Sequence, residues 1–216
     1  MYAKIYENFV DETDVNYFLN DITNKFDKFH PNEMGPHRHF LRINGTEDFQ
    51  DIHKKYFDKI ANTLGIKSPE IDPLLGVLYS VINHDGRIHK HIDSQGIYES
   101  GNFVNYRVNI LLQRDSGTGY DPIIRGVKHS VNVGDAWSFP ASLYEHETEP
   151  VSGSKDRIVL QYGFILHKKE YERLFNAGEL ILSKKMKDYH AKNTRNGIAR
   201  SRKDFFSQPA EIVPRK

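Results

Sequence analysis

GVLYSVINHDGRIHKHID, residues 76–93, decides how the rest of the chain is read. A β-branched, apolar run ends at Asp85-Gly86, a dipeptide suited to a tight turn between antiparallel strands. The run after it carries His91 and Asp93. Two residues apart on an extended chain, an imidazole and a carboxylate point to the same side and can grip one metal ion. A β-rich region with a ligating pair just past a hairpin turn is the expectation from which the remainder follows.

Downstream, short β-rich runs recur between turn signals: YRVNILLQ (106–113), IIRGVKHSVNV (123–133), DAWSFP (135–140) and RIVLQYGFIL (157–166). Six or more short strands without intervening helices predict an antiparallel jelly roll. Upstream, AKIYENF (3–9) reads as a first strand. Asp11, Thr13 and Asp14 are good caps for an amphipathic helix over Val15–Phe26. Ile52, Tyr56, Phe57, Ile60 and Leu64 recur at helical spacing in a second helix over about 49–64, with Gly65 as its stop. Both helices are expected to pack on the sheet. After Lys168 the pattern turns helical again through roughly Tyr189, and the remainder reads as loosely ordered. The organisation expected is a single domain over 1–168, including the N-terminal helices, followed by a C-terminal helix and basic tail over 169–216.

The chain has 216 residues and no cysteine, so disulfides, thiol catalysis, thiolate zinc and iron–sulfur sites are excluded. Any metal must sit on nitrogen and oxygen. The formal charge of +1 hides an asymmetry: residues 167–216 hold 13 Lys+Arg against 6 Asp+Glu, leaving −6 on the rest. No stretch approaches the roughly 18 apolar residues of a membrane span, and the N-terminus lacks a leader pattern. A soluble intracellular, cytoplasmic protein is the expectation.

His146 lies in another strand-like segment, and Arg157 opens the apolar run after it. Two imidazoles and one carboxylate can hold Fe(II) on one side and leave the other side open for ligands. A buried arginine nearby is suited to pair with a carboxylate of a dicarboxylic acid. His89 offers a rival set, because His89-Lys90-His91 also begins a cupin-type metal motif. That motif needs a glutamate about four residues on, whereas the nearest, Glu99, lies eight beyond His91.

At residues 76–166 the chain resembles the Fe(II)- and 2-oxoglutarate-dependent dioxygenases of the double-stranded β-helix, or cupin-like jelly-roll, fold. The pattern is His-x-Asp, a distal His, and an Arg about ten residues later, read here as His91, Asp93, His146 and Arg157. YRVNILLQ, NVGDAWSFPASLYEHETEPV and RIVLQYGF look most like the aspartyl/asparaginyl and free-proline hydroxylase branch. The resemblance implies Fe(II) on His91, Asp93 and His146, 2-oxoglutarate paired with Arg157, and O₂ as co-substrate. The outcome it implies is hydroxylation of an amino acid or amino-acid side chain, with release of succinate and CO₂. It also implies that Arg107 and Asn109 project toward co-substrate or substrate. The gap from His146 to Arg157 is eleven residues, so an extra loop residue near SGSKD must be accommodated.

Other assignments follow from position alone. Tyr79, one strand before the ligating pair, is a candidate hydrogen-bond donor to 2-oxoglutarate, with core packing as its alternative. Trp137 and Phe139 alternate as core residues. Arg107, in an apolar strand, either meets an anion or faces solvent. His89, Gln95, Tyr98, Arg107, Arg125 and Tyr144 flank the ligands and are the candidate substrate contacts. The partner expected is a small molecule or peptide. Nucleic acid binding through the basic tail is an alternative, as is a 2-oxoglutarate-independent cupin-type metal enzyme. Oligomeric state stays open.

Overall fold

The computed structural model describes residues 3–31, 37–93 and 102–175. Strand β1 (Lys4–Tyr6) leads into helix α1 (Glu12–Asn24), whose first turn is closed by the Asp11 carboxylate accepting from the N–H of Asp14 at 2.9 Å. Helix α2 (Asp51–Leu64) ends where Gly65 takes φ +73°, a left-handed value that costs a glycine little. Both helices lie where the apolar spacing predicted them.

Between them, however, the chain makes two strands that the sequence did not announce, β2 (His30–Pro31) and β3 (Arg38–Arg42). RHFLR has no clear alternation of polar and apolar residues. Its strand conformation comes from pairing with β4 (Val77–Ile82), a tertiary contact that local propensity does not encode.

The remaining elements are β5 (Phe103–Gln113), β6 (Ile123–Ile124), β7 (Val127–Lys128), β8 (Ala136–Pro140), β9 (His146–Glu147), β10 (Arg157–His167) and α3 (Lys168–Leu174). Seven strands form one sheet in the order β1-β8-β5-β10-β4-β3-β2, and three form another in the order β7-β6-β9. Every pairing is antiparallel. The run 123–133 yields only the short β6–β7 hairpin, whose loop residues Arg125 and Gly126 both have positive φ, as a tight two-residue turn requires. The run IHKHID forms no full strand. His91 instead makes one bridge to His146, with N–H···O bonds of 3.2 and 2.9 Å.

Alternation along the strands gives the large sheet two unlike faces. One carries Tyr79, Ile110, Leu160, Tyr162 and Phe164 against Phe18 of α1 and Tyr56, Phe57 and Ile60 of α2. Phe57 stacks on Phe164 with centroids 4.7 Å apart. The buried Tyr171 of α3 joins the same core. The other face carries Ser80, Arg107, Asn109, Trp137, Arg157 and Gln161, which look across a pocket toward β6 and β9. Among the described residues, no helix is long and apolar enough to cross a membrane.

Candidate active site

The bridge between His91 and His146 brings two distant histidines side by side, with ring centroids 4.2 Å apart. The Asp93 N–H donates to Ala141 O at 3.0 Å, fixing the carboxylate against the same segment. His91 Nδ1 donates to His89 O at 2.6 Å, and His146 Nδ1 donates to Tyr144 O at 3.1 Å. A backbone carbonyl can only accept, so both rings carry a proton on Nδ1 and turn Nε2 inward. The Nε2 atoms lie near Asp93 Oδ1, at 3.4 Å for His91 and 4.0 Å for His146. The three ligand atoms lie within 4.8 Å of one another, the spacing of a shared metal.

Arg107 completes the arrangement from β5. Its Nη2 donates to Asp93 Oδ2, and its Nη1 lies 3.2 Å from His146 Nε2. Oδ2 is thereby engaged, and Oδ1 is left pointing at the two imidazoles. Burial alone would raise the Asp93 carboxyl, but Arg107 and the two histidines outweigh it and hold the carboxylate charged well below its usual range. Burial, with His91 adding to it, pushes His146 well below the ordinary histidine value, so its ring stays neutral. A neutral His146 imidazole and an ionised Asp93 carboxylate are forms a divalent metal needs. The donor set therefore fits Fe(II), which accepts two imidazole nitrogens and a carboxylate oxygen on one face.

The adjoining pocket is a narrow, partly open cleft with a cavity volume of about 30 Å³. Trp137 and Phe139 line its floor, so these core aromatics also shape the site. Arg157 lies at one end, only 2% exposed, with Nε donating to Tyr120 O at 3.0 Å and its guanidinium 5.6 Å from the Trp137 ring. Burial and the nearby Arg38 charge lower its pKa to about 9, so it remains cationic at neutral pH. The eleven-residue gap before Arg157 is taken up in the loop at 152–156. There Ser154 donates to Asp115 through N–H at 2.8 Å and Oγ at 2.6 Å, and the Tyr120 hydroxyl donates to Lys155 O. Asn109 lines the pocket beside Gln161, its cross-strand neighbour.

Other expectations fare differently. Tyr79 does not reach the pocket: it shares its strand with Ser80 but points to the opposite face, where its hydroxyl donates to Asp21 at 3.0 Å and lies 2.7 Å from His53 Nε2. The period of two along β4 decides this, and the core alternative is the correct one. His89 contributes its carbonyl to His91, while the ligating cluster among the described residues is His91, Asp93 and His146. Arg125 stacks over the Tyr144 ring at 5.0 Å, and neither lines the pocket. Gln95, Tyr98 and the basic tail lie outside the described residues.

Sequence reasoning missed Arg38, Ser80, Gln161, Glu147 and Thr148, all of which line the pocket. A signal existed for two of them. Ser80 is the polar residue of VLYSVI, and Gln161 falls in register with Arg157 in RIVLQYGF, so both mark the ligand-facing parity of otherwise apolar strands.

No family model matches the sequence, and no curated protein matches it. Solved structures do match by fold. A prolyl hydroxylase from Trichoplax adhaerens, in complex with a hypoxia-inducible-factor peptide fragment, superposes with TM-score 0.60 at 13% identity, over 81% of this chain and 87% of that one. A viral collagen prolyl hydroxylase from Paramecium bursaria Chlorella virus-1, in complex with 2-oxoglutarate, gives 0.56 at 14% identity over 76% and 96%. A Pseudomonas putida prolyl-4-hydroxylase gives 0.56 at 13% over 77% and 92%. Over about three-quarters or more of its length the chain thus shares the fold of solved prolyl hydroxylases, and its His-Asp-His cluster and buried arginine lie within it.

Proposed function

We propose that this protein is an Fe(II)- and 2-oxoglutarate-dependent oxygenase that hydroxylates an amino acid or amino-acid side chain, its two sheets forming a double-stranded β-helix. The observation that carries the reading is the cluster of His91, Asp93 and His146 ligand atoms within 4.8 Å of one another, with the buried Arg157 in the adjoining pocket. His91, Asp93 and His146 would hold the metal. When bound, Fe(II) with 2-oxoglutarate and O₂ supplies oxidising power, with succinate and CO₂ as products.

The chain's own residues supply placement. Arg157, charged and buried against Trp137, is assigned to the distal carboxylate of 2-oxoglutarate. Asn109 and Gln161 offer amide groups along the sheet between the Arg157 end and the Arg107 end. Arg107 holds the Asp93 carboxylate so that a single oxygen faces the metal. Trp137, Phe139 and Ile124 form an apolar part of the lining, which lowers the local dielectric and strengthens the polar contacts beside it.

The test is anaerobic titration of the protein with Fe(II) and 2-oxoglutarate, following the weak visible charge-transfer band of the chelate. The band is expected in the wild type and absent in Asp93→Ala. Folded, iron-loaded wild type without a band would overturn the assignment.

A further inference from the structure

Strand β3 delivers a guanidinium that no motif marks. Arg38 and Arg157 both pair in register with Ile82, from opposite sides of β4. They therefore leave the same face of the sheet two strands apart, with backbones separated by about 10 Å. They bind different partners: Arg157 Nε donates to Tyr120 O at 3.0 Å, and Arg38 Nε donates to Ser80 Oγ at 2.9 Å. In register, Ser80 lies opposite Val159, one step from Arg157 toward the Gln161–Asn109 pair and the Arg107 end of the sheet. The serine hydroxyl anchors Arg38 Nε in the pocket, where Arg38 feels the charges of Arg107 and Asp93 and is felt in turn by Arg157.

The charges then fail to balance. Arg38, Arg107 and Arg157 all line the pocket. Asp93 is engaged by Arg107, and Glu147 pairs with Lys90 at 3.4 Å. Among the described residues, no carboxylate forms an ion pair with Arg38 or Arg157. Burial and the Arg107 charge lower the Arg38 pKa to about 10, against the opposing pull of Asp93, so it too stays charged at neutral pH. With a divalent metal on the triad and a dicarboxylate divided between metal and Arg157, the described pocket still holds more positive than negative charge, and the half-buried Arg38 has no charged partner among the described residues. A partly desolvated charge without a counter-ion is costly, and a ligand that brings the missing charge offsets that cost.

We propose that Arg38, oriented by Ser80, is the subsite for a carboxylate on the organic substrate. The substrate is then a small free acid, such as a free amino acid, and not a residue internal to a peptide. This rests on the assignment of 2-oxoglutarate to Arg157.

The test uses protein loaded with Mn(II), which holds the ligands without turnover, and calorimetric titration with 2-oxoglutarate. The ternary complex is then titrated with the free L-amino acids and with their C-terminal amides. At least one free acid is expected to bind while its amide does not. Arg38→Met should weaken that binding roughly 10–100-fold, the worth of a charge-assisted hydrogen bond, with 2-oxoglutarate affinity within about twofold of wild type as the control for folding. Arg38→Lys should recover part of the loss. A tenfold loss of 2-oxoglutarate affinity in Arg38→Met would make Arg38 a co-substrate residue and overturn the proposal. So would amides binding as well as acids, no free acid binding, or Arg38→Met binding the acid normally. Wild type that fails to bind 2-oxoglutarate at all would remove the premise and overturn both readings together.

Discussion

On the helix-covered face of the large sheet, buried polar groups close a network among themselves; on the pocket face, two arginines have no ionic partner among the described residues. His53, Tyr79 and Asp21 form a continuous chain of hydrogen bonds beneath α1 and α2, and Lys25 closes it with a 2.6 Å ion pair to Asp21. Across the same strands, Arg38 and Arg157 each spend Nε on an uncharged oxygen and keep a cationic fork in the pocket. A closed network specifies a packed core, and an open one of a single charge specifies a ligand. The two faces should therefore respond to opposite perturbations.

The largest effect belongs to the ligands. Asp93→Ala removes the oxygen facing both imidazoles, and metal binding followed by calorimetry should be abolished. Phe57→Ala addresses the other face. Losing the ring stacked on Phe164 should cost about 3–5 kcal/mol of folding stability in urea titrations, while the folded fraction keeps its metal affinity. If Phe57→Ala weakened metal binding in folded protein, the two faces would not be separable as described.

Arg157→Met sharpens the contrast. It should weaken 2-oxoglutarate binding by about 2–5 kcal/mol, the usual cost of truncating one partner of a buried charge pair. Folding stability should hold or rise, because the substitution removes a buried charge without an ionic partner of its own. A loss of stability with unchanged 2-oxoglutarate affinity would reassign Arg157 to the fold.

The sequence made these faces unequally legible. Helices α1 and α2, β4, β5, β8 and β10 were readable because each carries its own period of apolar residues. The His-x-Asp pair was readable because spacing alone brings both groups to one side of the chain. Arg38 was not, because it becomes a pocket residue only when β3 pairs with β4, and nothing local in RHFLR requires that pairing. Tyr79 illustrates the converse: its strand was correctly placed, yet a one-residue difference in parity separates the pocket from the core. Long-range pairing and parity, more than element type, are what a single sequence conceals.

The smallest prediction tests the closed network, and its sign follows from who donates. The N–H of Gln50 donates to His53 Nδ1 at 3.0 Å, so the imidazole proton sits on Nε2, facing the Tyr79 hydroxyl. Protonating His53 would set an Nδ1–H against that backbone N–H within a buried site. Burial is the main cause that lowers its pKa to about 4 from the ordinary 6.5, with Lys25 adding to it and Asp21 opposing. Between these values the unfolded chain binds a proton that the folded protein refuses. Stability contributed by His53 is thus complete above about pH 6.5 and is lost progressively as pH falls toward 4, amounting to about 3 kcal/mol over the window. Urea midpoints measured on metal-free wild type and His53→Gln isolate the term, since other titrating groups are common to both. The advantage of wild type over variant should shrink by about that amount between pH 7 and pH 4. An advantage independent of pH would mean that His53 accepts its proton within the fold, and that the helix-side network is as open as the pocket opposite.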